Sequence, residues 1–93
     1  MRKGIRHEIE ARLYKYAASQ EENKTWQETI AAELKKLQPQ QLQLFELRYK
    51  EKKSEREICR KLHIERSTYY SWISDIVQDV AILAAYHKLI KPE

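Results

Sequence analysis

The sequence predicts an all-α protein, a helical bundle of about five helices, and two observations support this. Glycine occurs once and proline twice in 93 residues, whereas residues that favour helices, such as alanine, leucine, glutamate, lysine, glutamine and arginine, are abundant. Apolar residues also recur every three or four positions along most of the chain, which is the period of an amphipathic helix.

The length of the chain limits it to one domain. A chain of 93 residues buries only about two-thirds of its unfolded surface, which leaves little room for a catalytic cleft beside the core. We therefore expect a single helical domain over 1–93. In it, 1–37 is a helical support, and 38–93 carries a helix-turn-helix with a long C-terminal helix.

The support is predicted to contain two helices. Residues 2 to about 20 carry one apolar stripe, and the polar connection SQEENK follows. Thr25 and Glu28 have the spacing of a capping box, which predicts a helix start there. Pro39 predicts that this helix ends near Leu37, because the residue before a proline avoids helical geometry. The residues expected on the buried sides are Ile5, Ile9, Leu13, Tyr16, Trp26, Ile30, Leu34 and Leu37.

A third helix and a basic loop precede the helix-turn-helix. The third helix is predicted from about Gln40 to Tyr49, with a wide apolar face suited to the middle of a bundle. Lys50 to Lys53 is predicted to be the loop. The apolar residues of that face are Leu42, Leu44, Phe45, Leu47 and Tyr49.

The stretch SEREICRKLHIERSTYYSWISDI is typical of a helix-turn-helix. Ser54 and Glu57 form a capping-box pattern, so a helix should begin at Glu55. Ile64 is expected to be a buried turn residue, and a longer helix should run from Arg66 to about Leu89. Two helices joined by three or four residues have the proportions of a unit whose second helix offers its first turn to the DNA major groove.

Helical phase separates buried from exposed side chains in this unit. Tyr69 should point inward with Trp72, and Tyr70 should point outward. The distal half of the last helix is apolar on more than one side. We expect it to pack either on the N-terminal helices or on a second copy, which would give a homodimer. The apolar residues expected on the buried face are Ile58, Cys59, Leu62, Tyr69, Trp72, Ile76 and Val80.

Positive charge is concentrated ahead of the predicted reading helix. The net charge is +4, and the segment from Arg48 to Arg66 alone has eight basic and four acidic residues, a sum of +4. The residues before it sum to +1 and those after it to −1. The excess lies where DNA phosphates would lie, so double-stranded DNA is the expected partner.

The candidate DNA contacts fall into two sets. Arg66 is the one full charge in the first turn that can reach a guanine edge, and Thr68 stands where a hydroxyl can reach a phosphate. The residues expected on the base side are Arg66, Ser67, Tyr70 and Ser71. Those expected at phosphates are Lys52, Lys53, Arg56, Arg60 and Thr68.

Other kinds of site have weaker support. Cys59 and His63 have a spacing that suits two metal ligands, but no second pair accompanies them, so we expect no metal. The sequence has no glycine-rich phosphate loop and no Ser/His/Asp set, so we expect neither enzymatic activity nor a cofactor. Five glutamates alternate with basic residues and are expected to be solvated: Glu8, Glu10, Glu21, Glu22 and Glu28.

The sequence also indicates where in the cell the protein is expected to be found. No apolar run approaches the roughly 20 residues that span a bilayer, and charged residues return before a signal-peptide core can form. The single cysteine agrees with a reducing compartment. We expect a soluble protein of the bacterial cytoplasm with no membrane partner.

Two stretches resemble known families. LQPQQLQLFELRY, followed by SEREICRKLHIERSTYYSW, resembles region four of bacterial sigma factors. HIERSTYYSWISDIV and EARLYKY are similar to phage late-gene transcriptional regulators of the RinA and ArpU kind. The resemblance covers roughly residues 37 to 80 well and the first 36 only loosely. It implies a DNA-binding transcriptional regulator, an activator of phage or prophage late genes, with RNA polymerase as a second candidate partner.

The chain departs from the family pattern at several positions. His63 occupies a turn position where glycine is common, and histidine tolerates a left-handed backbone better than most residues. Glu65 replaces a serine cap and is a poorer cap. Ser71 and Ile73 stand where basic residues are common on the exposed face, so Ile73 is expected to face a protein partner.

Two alternatives stay open, and only the second rests on Ser71 and Ile73. One is a phage DNA-packaging subunit similar to a small terminase, which would assemble into a ring. The other is a protein-interaction module that binds RNA polymerase and hardly touches DNA.

Overall fold

The computed structural model describes residues 3–90, which form five α-helices, and the all-α prediction is confirmed. The helices are α1 Lys3–Ala17, α2 Lys24–Leu34, α3 Pro39–Phe45, α4 Glu55–Leu62 and α5 Arg66–Tyr86, with a π-helical turn at Glu46–Lys50 directly after α3. Residue 2, where the first helix is expected to begin, lies outside the described residues. No helix within 3–90 combines the length and the apolar character needed to cross a lipid bilayer.

A single apolar core joins all five helices, and α5 is its central element. α5 contacts each of the other four helices. The stripe predicted on α1 is confirmed at Ile9 and Leu13, which are fully buried. The other buried apolar residues are Trp26, Ile30, Leu44, Phe45, Leu47, Tyr49, Ile58, Leu62, Tyr69, Ile73, Ile76, Val77, Val80, Ala81 and Ala84.

The distal half of α5 packs on the N-terminal helices, which confirms one of the two arrangements expected for it. Val80 and Ala84 are completely buried in the shared core. Ile82 and Tyr86 remain exposed on the same helix, so a homodimer through this helix stays a prediction. The helix ends at Tyr86 instead of near Leu89, because Lys88 takes a left-handed backbone (φ 59°) and the Leu89 N–H turns back to bond the Ala84 carbonyl at 2.8 Å.

The predicted capping box at Thr25 and Glu28 is wrong. α2 begins earlier because Asn23 caps it, accepting a hydrogen bond from the Trp26 N–H at 3.1 Å. Asparagine and threonine are both good caps, but Asn23 comes first in the chain and already satisfies a free N–H of the helix. Thr25 therefore lies inside the first turn.

The expectation that the glutamates are all solvated is wrong for two of them. Glu21 is buried in the connection before α2, where it forms an ion pair with Arg12 (2.8 Å) and accepts from the Asn23 N–H (3.2 Å). Glu10 is partly buried and forms an ion pair with Arg48 at 3.2 Å. Both carboxylates are drawn inward because a basic side chain and hydrogen-bond donors replace part of their hydration.

The third helix is shorter than predicted. Pro39 occupies its first position, where the missing N–H costs nothing, and α3 ends at Phe45. The next five residues form a π-helical turn, in which the Glu51 N–H bonds the Glu46 carbonyl at 2.9 Å. The wider turn buries Leu47 and Tyr49 together. Leu42, expected on the buried face, is exposed instead.

Glu33 is a buried carboxyl at the contact between α2 and α5. Only 3% of its surface is exposed, and Asp79 of α5 is its acidic neighbour. Burial, followed by the charge of Asp79 and a hydrogen bond with it, raises the pKa of Glu33 to about 7, although Lys36 opposes the shift. The folded state therefore holds this proton more tightly than the unfolded chain does.

Glu33→Gln should remove a pH-dependent loss of stability. Because the folded pKa lies above the unfolded one, the contribution of Glu33 is fully present below about pH 4.5 and is lost as the pH rises through about 7. The variant should match the wild type near pH 4.5 and exceed it at pH 8 by on the order of 1 to 3 kcal/mol. Urea denaturation at both pH values measures this difference. Exposed Glu28→Gln on the same helix is the control, and an equal pH dependence in all three proteins would contradict the assignment.

Candidate nucleic-acid interface

The first helix of the predicted helix-turn-helix begins where the sequence places it. The Ser54 side chain accepts a hydrogen bond from the Glu57 N–H at 3.2 Å, and α4 starts at Glu55. The Glu57 carboxylate accepts from the Ser54 hydroxyl at 3.4 Å. Ile58 and Leu62 are buried, which fixes the orientation of α4 against the core. The predicted start and apolar face of this helix are confirmed.

A three-residue turn, 63–65, separates α4 from α5. His63 adopts the left-handed conformation (φ 55°, ψ 46°), and its backbone N–H bonds the Cys59 carbonyl. The Ile64 N–H bonds the same carbonyl at 3.1 Å, and its side chain packs against the core. At the C-terminal end of α4, directly before the turn, the Gln40 side chain of α3 donates to the Leu62 carbonyl at 3.3 Å. These bonds fix the angle between the two helices.

α5 begins with a weak cap. Glu65 has the extended backbone of a cap residue (φ −80°, ψ 159°), but within the described chain its side chain makes no capping hydrogen bond. A glutamate side chain is one methylene longer than the aspartate that fits this position. The negative charge still suits the positive end of the helix dipole. The prediction of a poorer cap at Glu65 is confirmed.

The first two turns of α5 present the candidate base contacts to solvent. Arg66, Ser67, Tyr70 and Ser71 are exposed, whereas Thr68 is only partly exposed. Tyr69 is 1% exposed and Tyr70 is 46% exposed, so their predicted division between core and surface is confirmed.

The basic candidate phosphate contacts lie on the loop before α4 and along α4 itself, from Arg56 in its first turn to Arg60 in its last. Lys52, Lys53, Arg56 and Arg60 are all exposed. Lys52 has a left-handed backbone (φ 56°), which turns the loop so that the Lys53 N–H bonds the Leu47 carbonyl at 2.9 Å. The start of α4 also lies beside the first turn of α5, because Glu55 forms an ion pair with Arg66. Arg56 at the start of α4 and Arg66 at the start of α5 therefore lie on adjacent turns.

Glu55, which sequence reasoning did not include among the site residues, contacts two of them. One carboxylate oxygen lies 2.8 Å from Arg66 Nε, and the other accepts a hydrogen bond from the Tyr70 hydroxyl at 2.5 Å. The Arg66 guanidinium also lies 5.7 Å from the centre of the Tyr70 ring. The sequence gives no specific signal for Glu55, because it is one of four acids in the segment from Arg48 to Arg66 and spacing alone does not reveal its partners.

The expectation that Ile73 faces a protein partner is wrong. Ile73 is 1% exposed and belongs to the core. It lies four residues after Tyr69 and four before Val77, so the buried stripe of α5 runs directly through it. Trp72, which was expected in that stripe, is only partly buried.

A polar cluster behind the surface holds α5 in place. Arg48 donates from Nη1 to the Tyr69 hydroxyl (2.6 Å) and from Nη2 to the Glu10 carboxylate (3.2 and 3.4 Å). The Tyr49 hydroxyl donates to Glu10 at 3.1 Å. Burial raises the pKa of Tyr69, and neighbouring Arg48 partly opposes this rise, so Tyr69 stays a neutral phenol at physiological pH.

Cys59 of α4, expected on the buried face, is only partly buried and packs against the core. Burial raises the pKa of its thiol, which therefore stays neutral at physiological pH. Among residues 3–90, no three His, Cys, Asp or Glu side chains are grouped so as to hold a metal ion.

Comparison with known protein families gives a match over the centre of the chain. The family model described as sigma-70, region 4 matches residues 27–79, which is more than half of the chain. The matched segment extends from α2 into α5 and includes the whole of α4 and the turn. Searches of curated proteins and of solved structures give no match.

Glu65→Asp should stabilise the protein by about 1 kcal/mol, because the shorter side chain can accept from a free N–H of α5 while the charge at this helix end is unchanged. The free energy of unfolding from urea denaturation measures the gain. The exposed loop substitution Glu51→Asp is the control and should stay within about 0.5 kcal/mol of the wild type. Equal stability of Glu65→Asp and the control would show that α5 does not lack a cap.

Proposed function

Because the chain belongs to the sigma-70 region 4 family, we propose that it is a sequence-specific DNA-binding regulator of transcription. In this proposal it acts by binding and not by catalysis. Its first partner is double-stranded DNA, and its place of action is the cytoplasm of a bacterial cell. The first turn of α5 enters the major groove, and the basic residues around the start of α4 contact the phosphates.

The observation that carries this proposal is the exposed start of α5. Four polar side chains project from the first two turns of a helix whose other face is fixed in the core. The left-handed turn at His63 and Ile64, which is only partly buried, hold that start at the corner of a two-helix unit. Four exposed basic residues lie on the neighbouring loop and helix. Base-side polar groups with flanking positive charge are what major-groove recognition requires.

We further propose that the genes controlled are phage or prophage late genes and that the chain activates them. The support is the resemblance of HIERSTYYSWISDIV and EARLYKY to regulators of the RinA and ArpU kind. A binding site upstream of a late promoter, with transcription that rises when the protein is supplied, would support this part. A fall in transcription would contradict activation and leave DNA binding unaffected.

RNA polymerase is the proposed second partner. An open groove lies between the end of α1, α2 and α3, and exposed Leu42 lies along it. Its lining residues come from α1, the α1–α2 connection, α2, α3 and the π-helical turn. A protein partner in this groove would leave α4 and α5 free for DNA. The alternative in which the chain binds RNA polymerase and hardly touches DNA rests on Ser71 and Ile73. It loses support because Ile73 is buried.

Binding to random duplex DNA across a salt series tests the proposal. We expect affinity to fall steeply as salt rises, because bound phosphates release counterions, and sequencing of the retained DNA should give an enriched motif. Flat, weak binding without enrichment would contradict a DNA-reading function. Co-purification with RNA polymerase in the absence of salt-sensitive DNA binding would favour the interaction-module alternative, whereas the mass of a ring in solution would favour a packaging subunit.

Arg66→Ala should weaken binding to the preferred site by about 1 to 3 kcal/mol and relax selectivity at one base pair, since a guanidinium that contacts guanine discriminates by that amount. Anisotropy titrations on the preferred site and its single-base variants measure both effects. Arg60→Ala, which removes an exposed charge from α4, is the control and should weaken all sequences equally while lowering the salt slope by about 1. Uniform weakening by Arg66→Ala would make Arg66 only a phosphate contact.

A further inference from the structure

Glu55 is an acidic residue at the start of α4, beside Arg56, and both of its carboxylate oxygens are engaged. One lies 2.8 Å from Arg66 Nε and the other accepts from the Tyr70 hydroxyl at 2.5 Å. The Glu55 side chain is 28% exposed, whereas the Arg66 side chain is 76% exposed. The carboxylate is therefore the inner member of the pair, and the guanidinium extends past it into solvent.

We propose that Glu55 is a positioning residue that holds Arg66 for the recognition of one base, and thereby sets the sequence specificity of this surface. The inference rests on the proposed DNA-binding function and deepens it. Glu55 itself contacts no DNA in this proposal. Its role is to fix the side chain that does.

The geometry of the ion pair determines how Arg66 can bind. A guanidinium has five N–H donors, and Glu55 takes the one on Nε. The donors on Nη1 and Nη2 remain at the outer end of the side chain. Two parallel donors at that end match the O6 and N7 acceptors of guanine, so the pair selects the end-on bidentate contact.

Tyr70 limits the remaining freedom of Arg66. Its ring lies 5.7 Å from the guanidinium carbon, and its hydroxyl is fixed by the same carboxylate. The ring also makes an edge contact with Tyr69, whose centre is 5.2 Å away. Because Tyr69 is buried, this chain of contacts ties an exposed arginine to the core. Arg66 therefore loses less side-chain entropy when it binds DNA, and this smaller entropy loss is the advantage of preorganisation.

Charge alone would argue against an acid at this position. A carboxylate near DNA repels phosphates and lowers non-specific affinity. A simpler role for Glu55 is to stabilise the N-terminus of α4 through the helix dipole. That role predicts that its removal changes stability and overall affinity but not the preference among bases. Measurements of base preference therefore separate the two roles.

The test compares Glu55→Ala and Glu55→Gln with Glu57→Gln. Glu57 is the matched control, because it removes an exposed acid from the same turn of α4 and glutamine keeps an acceptor for the Ser54 hydroxyl. Each full-length protein is titrated with the preferred duplex, with the duplex altered at the base pair that Arg66→Ala identifies, and with a random duplex. Thermal melting records whether each variant is folded at the assay temperature.

We expect Glu55→Ala to lower discrimination at that base pair by about 3- to 10-fold, with no loss of affinity for random DNA. Glu55→Gln should lower it less, since one acceptor remains. Glu57→Gln should bind random DNA as well as or better than the wild type and keep full discrimination. In the Arg66→Ala background, Glu55→Ala should have no further effect on discrimination, because the residue it positions is absent.

Unchanged discrimination in Glu55→Ala, or an equal loss in Glu57→Gln, would overturn the inference and leave the proposed function standing. A further loss in the Arg66→Ala background would also overturn it, because Glu55 would then act independently of Arg66. A wild-type protein without base preference would overturn the proposed function first, and the inference with it. The two failures are thus distinguished by the wild-type titration alone.

Discussion

The guanidinium of Arg48 connects the N-terminal helix to the helix that carries the candidate reading surface. It donates to Glu10 of α1 and to the Tyr69 hydroxyl of α5, at 3.2 and 2.6 Å. Hydrogen bonds of this kind are strong because one partner is charged, and a partly buried site weakens the competition from water. The π-helical turn supplies Arg48 together with its neighbour Tyr49, which bonds the same carboxylate. The orientation of α5 therefore depends on this cluster.

The length of α5 follows from the two tasks of its two halves. The first two turns expose polar side chains, and one face of the remainder is buried against α1 and α2. Tyr69 lies at the boundary, with its ring in the core and its hydroxyl on Arg48. A short helix presenting the same first turn would have only α4 and the turn to hold it. The long helix transfers the rigidity of the whole core to a few exposed residues.

Local signals in the sequence predicted the helix-turn-helix well, whereas contacts between distant residues were hidden. The Ser54 cap, the phase of Tyr69 and Tyr70, and the left-handed turn each depend on neighbours a few positions away. The family pattern places Ile73 on the exposed face, whereas the four-residue spacing from Tyr69 places it in the core, where the structure has it. The ion pairs of Glu10 and Glu55 join residues 38 and 11 positions apart. Only the packing of the helices shows which charges meet.

The central claim is that the start of α5 and the basic residues near α4 form a DNA-binding surface. The most direct measurement is the change in backbone amide NMR signals when a duplex carrying the enriched motif is added to ¹⁵N-labelled protein. If the claim is correct, the amide signals that change will be concentrated at the start of α4 and in the first two turns of α5. The signals of α1, α2 and the exposed side of α3 will be unaffected. Changes centred on the groove beside Leu42, or none at all, would contradict it.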